Sequence, residues 1–158
     1  MRVGMGYDVH KFSAARKLVL GGVTIPSSFG LLGHSDADVL THAVMDALLG
    51  AAALGDIGAH FPDTDKEFKD INSIKLLQRV MLLLKEKHYA LVNLDTVIIA
   101  ERPRLAPFVP AMRETMAHIL EVKPGQVSIK CTTTEGLGFT GRKEGIAAAA
   151  VVLIDSIA

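Results

Sequence analysis

The stretch Val3-Gly4-Met5-Gly6-Tyr7-Asp8-Val9-His10 opens the chain. Its β-branched and aromatic positions predict an opening strand over residues 3–10. Side chains alternate across a strand, so Asp8 and His10 share a face. Residues 35–54 predict a long helix. Ser35 and Asp38 stand at capping-box spacing, with Asp in place of the commoner Glu, just ahead of an apolar run. Asp38, His42 and Asp46 follow at i, i+4 and i+8 and stack on one helix face. The remainder of the segment is Ala, Leu, Val and Met, so this helix is expected to be buried against the strand.

The pattern extends outward from this pair. Residues 17–22 (KLVLGG) predict a second short strand ending in a turn, and residues 26–33 a loop rich in turn formers. Residues 55–69 form a Gly/Asp/Pro loop of about fifteen positions, a length usually reserved for function or motion. Residues 72–88 predict an amphipathic helix with Ile74, Leu77 and Met81 inward. Strands follow at 90–101, 127–132 and 145–154, the last apolar on both faces. A helix over 107–122 lies between the first two, with Pro110 in its first turn. Residues 133–143 are a polar Gly/Thr loop. The order β-β-α-α-β-α-β-β predicts an α+β chain: a two-layer α/β sandwich, helices on one face of a mixed, four-stranded-type sheet.

The chain has 158 residues and a formal net charge of zero at pH 7. That length suits a single domain over 1–158, able to bury roughly two-thirds of its unfolded surface. Neutrality argues against a broad footprint for nucleic acid or an anionic membrane. The single cysteine, Cys131, excludes an intrachain disulfide, suits a reducing compartment and reads as a buried small hydrophobe. The N-terminus has no apolar signal core, and the longest apolar stretch, residues 146–154, is too short to span a bilayer. A cytoplasmic location is the expectation.

Asp8, His10 and His42 offer one oxygen and two nitrogens, a ligand set that zinc accepts in catalytic sites with a fourth position open. Asp46, one turn beyond His42, is placed to accept a hydrogen bond from the second ring nitrogen. On spacing alone, His42 can equally be a charge-paired core residue. His34-Ser35 precede a helix N-terminus that favours anions, although Ser35 can be a plain N-cap and His34 a surface residue. Thr132, Thr133 and Thr134 offer hydroxyls to phosphate, Glu135 a carboxylate to a hard cation such as Mg²⁺, and Arg142 a guanidinium fork. The same segment reads equally well as a flexible loop, and no Walker loop is present. Asp56, Gly58 and Asp63 suit polyol hydroxyls or solvated turns. The 100–106 segment turns at Pro103 and can present backbone groups to a base. His60, His88 and His118 have no evident partner, the last two reading as surface helix residues.

Taken together, these motifs resemble the 2-C-methyl-D-erythritol 2,4-cyclodiphosphate synthases of the non-mevalonate isoprenoid pathway. The resemblance runs through Gly6-Tyr7-Asp8-Val9-His10, Gly33-His34-Ser35-Asp36-Ala37-Asp38-Val39 and His42. It continues through Ala52-Ala53-Leu54-Gly55-Asp56-Ile57-Gly58 and Phe61-Pro62-Asp63-Thr64-Asp65. Thr132-Thr133-Thr134-Glu135 and Gly138-Phe139-Thr140-Gly141-Arg142 complete it. Arg104 stands where the family commonly has Lys, and Cys131 where a small apolar residue is common.

The resemblance implies a homotrimer with active sites between subunits. It implies zinc on Asp8, His10 and His42, and a second divalent ion, magnesium or manganese, on Glu135. The erythritol and its phosphate would meet Asp8, Val9, His10, His34 and Ser35, then Asp56, Ile57 and Gly58, then Phe61, Pro62, Asp63, Thr64 and Asp65. The cytidine diphosphate would meet Ala100, Glu101, Arg102, Pro103, Arg104, Leu105 and Ala106, with Thr132, Thr133, Thr134 and Glu135. Phe139 and Arg142 would lie near the threefold axis, where some members bind an isoprenoid diphosphate. The implied lyase reaction cyclises 4-diphosphocytidyl-2-C-methyl-D-erythritol 2-phosphate and releases CMP, with His34 and Thr133 steadying the transition state. A zinc phosphohydrolase and a non-catalytic trimeric sensor of isoprenoid diphosphate are the competing readings.

Overall fold

Strand β1 (Arg2–Ser13) turns Gly4 and Gly6 toward helix α1 (Val39–Ala51), and the two backbones touch there. A Cβ at Gly4 would lie 1.9 Å from the Ala47 carbonyl oxygen, and one at Gly6 1.9 Å from that of Ala43. Only glycine allows this approach. Ala43, Ala47 and Ala51 form the small-residue stripe of α1 that meets the strand, and α1 is buried along almost its whole length. Asp8 and His10 continue the Gly4–Gly6 face and so project toward His42 in the first turn of α1.

The structure is a computed structural model, and it describes residues 1–157. After β1 come β2 (Leu18–Leu20), β3 (Val23–Ile25), β4 (Gly30–Leu31), α1, α2 (Ile57–His60) and α3 (Ser73–Glu86). Then follow β5 (Tyr89–Ile99), α4 (Val109–Ile119), β6 (Val127–Thr132), α5 (Gly138–Gly141) and β7 (Gly145–Ser156). The main sheet has the strand order β4-β1-β7-β5-β6. Its neighbours are antiparallel except β5 and β6, which run parallel and are joined through α4. α1 covers β1 and β7, α3 packs on α1, and α4 packs on β6. The other sheet face carries no helix: Val3, Met5, Tyr7, Val9 and Val151 stand exposed on it. β7 is therefore covered on one face only. Among the described residues, no helix is long and apolar enough to cross a membrane.

The mixed α/β layering agrees with expectation, and several details differ. The sheet has five strands where four were expected, because β4 forms inside the segment read as loop and pairs with Phe12 and Ser13. The strand expected over 17–22 is half of a hairpin, turned by Gly21 and Gly22 at φ 57° and 74°. Helix α1 starts later than Ser35. Ala37 adopts φ 58°, and the N-cap is Asp38. Asp38 accepts hydrogen bonds from the Gly21, Gly22 and Thr41 amides at 2.9, 2.7 and 3.1 Å and from the Thr41 hydroxyl at 2.7 Å. Burial, with the neighbouring Asp36 charge, pushes the Asp38 carboxyl up from its ordinary value. The long 55–69 loop contains α2, capped by Asp56, and a 3-10 turn at Lys66–Phe68 capped by Asp65. The 133–143 loop contains α5. Cys131 is exposed, not buried: Val127 and Ile129 on the same strand face are covered, but Cys131, near the end of β6, borders an open cavity.

Gly6→Ala should cost about 2 kcal/mol or more, since the new methyl meets helix backbone and not a side chain that can swing away. Urea unfolding of the purified protein measures this directly.

Candidate functional site

The strand-to-helix contact brings three ligand atoms together. Asp8 Oδ2 lies 2.9 Å from His10 Nε2 and 3.1 Å from His42 Nδ1, and the two ring nitrogens are 3.0 Å apart. Four ligands placed tetrahedrally around zinc keep about 3.3 Å between one another, so the spacing suits a metal of that size. Among the described residues, no other group of His, Cys, Asp or Glu converges in this way.

Proton placement makes the case stronger. His10 Nδ1 donates to the Leu32 carbonyl at 2.8 Å, which leaves Nε2 as a lone pair facing the cluster. His42 Nε2 faces the Ser35 and Ser73 hydroxyls at 3.0 and 2.9 Å, which leaves Nδ1 for the cluster. A carboxylate oxygen and two imine nitrogens then point at one spot and require a cation there, either a proton or a metal ion. Burial would raise the Asp8 carboxyl, but the hydrogen bonds and charges of His10 and His42 outweigh it and hold it well below its ordinary value. Burial would lower the His10 imidazole, but the Asp8 carboxylate beside it lifts it above 6.5.

Asp46 does not contact His42. Its carboxylate accepts from the Ile57 amide at 2.8 Å instead, tying α2 to α1. The second ring nitrogen goes to Ser73, at the start of α3, a residue that sequence spacing did not single out. The polar Asn72-Ser73 pair ahead of the apolar α3 run marks a helix start, but nothing local in it points to His42. Ser35 likewise serves His42 and not the helix as an N-cap.

A cavity of about 400 Å³ opens over the cluster. Asp8, His10 and His42 form its floor, His34 and Ser35 one wall, and Ile57, Gly58, Phe61, Pro62 and Asp63 another. The His34-Ser35 segment is braced from behind: Arg16 donates to the Gly33 carbonyl at 2.7 Å and to that of Ser35, and the Asp70 amide donates to the His34 carbonyl at 2.8 Å. His34 Nε2 lies 3.2 Å from the Asp65 carbonyl oxygen, across the mouth.

A second cavity, of about 240 Å³, is lined by Ala100, Glu101, Pro103, Arg104, Leu105, Ala106, Cys131, Thr132 and Thr133. Glu101 accepts from the Thr134 and Gly136 amides at 3.0 and 3.3 Å, shaping the loop that presents Thr133 and Glu135. Within one chain the two cavities do not share a lining residue. Several expected contact residues line neither. Val9 points to the bare sheet face, opposite Asp8. Asp56, Thr64 and Asp65 lie on the exposed rim of the 55–69 segment, and the Arg102 guanidinium sits over the Phe29 ring at 5.0 Å. Glu135 is exposed, Phe139 half-buried, and Arg142 pairs with Glu144 at 2.7 Å. His60 has a partner after all, the Leu54 carbonyl at 2.8 Å.

A carboxylate and two imidazoles that converge under an open cavity, on a one-face-covered α/β sheet, form a triad able to hold a divalent metal ion. The family model described as the YgbB family matches residues 1–155. A 2-C-methyl-D-erythritol 2,4-cyclodiphosphate synthase of Syntrophomonas wolfei is 59% identical over 155 residues, 98% of this chain and 99% of that protein. The bifunctional IspDF of Campylobacter jejuni superposes with a TM-score of 0.95 at 45% identity, over 99% of this chain and 42% of that one. The Plasmodium falciparum IspF, solved as a CDP complex, superposes with a TM-score of 0.87 at 33% identity, over 99% of this chain and 97% of that one. The chain belongs to the YgbB family, and the curated relatives it matches at 58–62% identity are named 2-C-methyl-D-erythritol 2,4-cyclodiphosphate synthase.

The electrostatics set a pH dependence for the metal-free protein. His10 has a folded pKa above its unfolded value, so its contribution to stability is complete below pH 6.5 and is lost as pH rises through the folded value. The Asp8 contribution has the opposite sense: it is present above 3.8 and is lost as pH falls below that. Urea midpoints of chelator-treated protein across a pH series should fall on the alkaline side, and that fall should be absent in His10→Asn.

Proposed function

We propose that the chain, as one domain, converts 4-diphosphocytidyl-2-C-methyl-D-erythritol 2-phosphate to 2-C-methyl-D-erythritol 2,4-cyclodiphosphate and CMP. The observation that carries this reading is the convergence of Asp8, His10 and His42 under a cavity walled by His34 and Ser35. A phosphate oxygen of the substrate attacks the β-phosphorus, and the bond to the CMP oxygen breaks. The nucleophile is part of the substrate, so the protein has to fold a flexible molecule onto itself. Well-oriented intramolecular reactions gain on the order of 7–11 kcal/mol from such positioning.

Asp8 Oδ2, His10 Nε2 and His42 Nδ1 would hold zinc, and Glu135 magnesium or manganese, which as Lewis acids offset the negative charge of the diphosphate. The chain's own groups do the rest. His34, braced by Arg16 and Asp70, donates to the phosphate in flight. Ile57, the Gly58 backbone and the Asp63 carboxylate meet the erythritol. Ala100 to Ala106 receive the cytosine in the second cavity, Arg104 balances phosphate charge, and the Thr133 hydroxyl steadies the transition state.

The bare sheet face supports a homotrimer. A continuous apolar patch of Val3, Met5, Tyr7, Val9 and Val151 is unusual on a monomer and marks a protein interface. The two separate cavities fit the same reading: the metal end of one subunit meets the nucleotide pocket of a neighbour. Phe139 and Arg142 would face the axis, where an isoprenoid diphosphate can bind. Neutral charge and a single unpaired thiol fit a cytoplasmic enzyme with neither nucleic acid nor membrane as partner.

His42→Ala should abolish zinc binding and CMP release together while the oligomer persists, measured by metal analysis, a CMP assay and light scattering. Undiminished CMP release from a zinc-free variant would contradict the proposal.

A further inference from the structure

His42 can serve a metal through Nδ1 only if its proton stays on Nε2, and a histidine left to itself places the proton on either nitrogen. We propose that Ser73 and Asp36 form a positioning relay that holds His42 in that tautomer. This rests on the reading of Asp8, His10 and His42 as a metal site.

Ser73 and His42 are buried, and Asp36 is half-buried behind them. Ser73 is fully buried at the start of α3, and His42 is 6% exposed. Both donors of Ser73 are taken by one carboxylate: its amide donates to Asp36 Oδ2 at 3.0 Å, and its hydroxyl donates to Asp36 Oδ1. A hydroxyl has a single proton. With that proton committed to Asp36, the Ser73 oxygen shows only lone pairs to His42 Nε2, 2.9 Å away. The ring nitrogen therefore has to donate, and Nδ1 is left proton-free toward Asp8 and His10. Asp36 is itself anchored, since it also accepts from the Asp38 amide at 3.2 Å and its own amide donates to the Ile71 carbonyl at 3.0 Å.

Ser35 is not an equivalent partner. Its oxygen is 3.0 Å from His42 Nε2, and it receives the Ala37 amide at 3.3 Å, but no carboxylate holds its proton. It can donate to Nε2 as readily as accept, so it permits either tautomer. Ser73 does not. The Ser73 hydroxyl also lies 3.4 Å from that of Ser35. Asp36 and Ser73 do not themselves line the cavity; they act through His42.

The test reads metal affinity, not turnover. Zinc dissociation constants come from competition with a chromophoric chelator, and ¹⁵N shifts of the His42 ring report its tautomer in the metal-free protein. Ser73→Ala should weaken zinc binding roughly ten- to a hundredfold, the usual scale for losing a partner behind a metal-bound histidine. The His42 ring should then show mixed tautomers. Ser73→Thr, which keeps the hydroxyl, should restore the affinity. Wild-type affinity and a single tautomer in Ser73→Ala, or no rescue by Thr, would overturn the relay. Should Ser73→Ala not fold, Asp36→Asn decides: weaker zinc binding supports the relay, and unchanged binding overturns it. Failure of the unmodified protein to bind zinc would instead overturn the metal reading, together with the relay built on it.

Discussion

The absence of side chains at Gly4 and Gly6 lets α1 lie against β1 at backbone distance, and the site depends on that contact. Two more residues along the same strand face come Asp8 and His10. One turn into the helix comes His42. A strand and a helix at ordinary packing distance would hold these groups too far apart for one ion. The alanines at 43, 47 and 51 complete the close approach from the helix side. Packing and chemistry are therefore the same constraint here, and a methyl group added on either element would disturb both.

The second consequence is electrostatic. Hydrogen bonds made behind the cluster, from His10 to the Leu32 carbonyl and from His42 to Ser73, orient two nitrogen lone pairs toward the Asp8 carboxylate. This is a preorganised arrangement for a divalent ion, and a divalent ion over an open cavity is suited to an anionic substrate. His34 and Thr133, both proposed above to meet phosphate, come from distant parts of the chain. They line separate cavities, and the exposed apolar sheet face offers a means of joining them by assembly.

Much of this was legible in the sequence because it rests on short periods. Alternation along β1 placed Asp8 beside His10, and the apolar run after Asp38 placed His42 on a buried helix. The partner of His42 was not legible. Helical spacing favoured Asp46, one turn on, but the ring turns toward α3, and a contact over 31 residues leaves no local pattern. The start of α1 misled for a related reason. Ser35 has capping-box spacing, but its hydroxyl is used by His42, Ala37 takes a left-handed conformation, and Asp38 caps both α1 and the Gly21-Gly22 turn. Strand β4 is only two residues long, too short for any periodicity to show. Cys131 looked like core by residue type, but it stands near the end of β6 where the cover over Val127 and Ile129 gives way to an open cavity, which no local pattern shows.

In the proposed reaction the substrate's own phosphate, and not a water molecule, attacks the β-phosphorus, so the product is a ring. Phosphorus NMR of the product formed from 4-diphosphocytidyl-2-C-methyl-D-erythritol 2-phosphate, with zinc and magnesium supplied, tests this most directly. Cyclisation yields CMP together with two coupled diphosphate resonances and no phosphomonoester signal from the erythritol product. An open product retaining its phosphomonoester, the mark of a hydrolase, would contradict it.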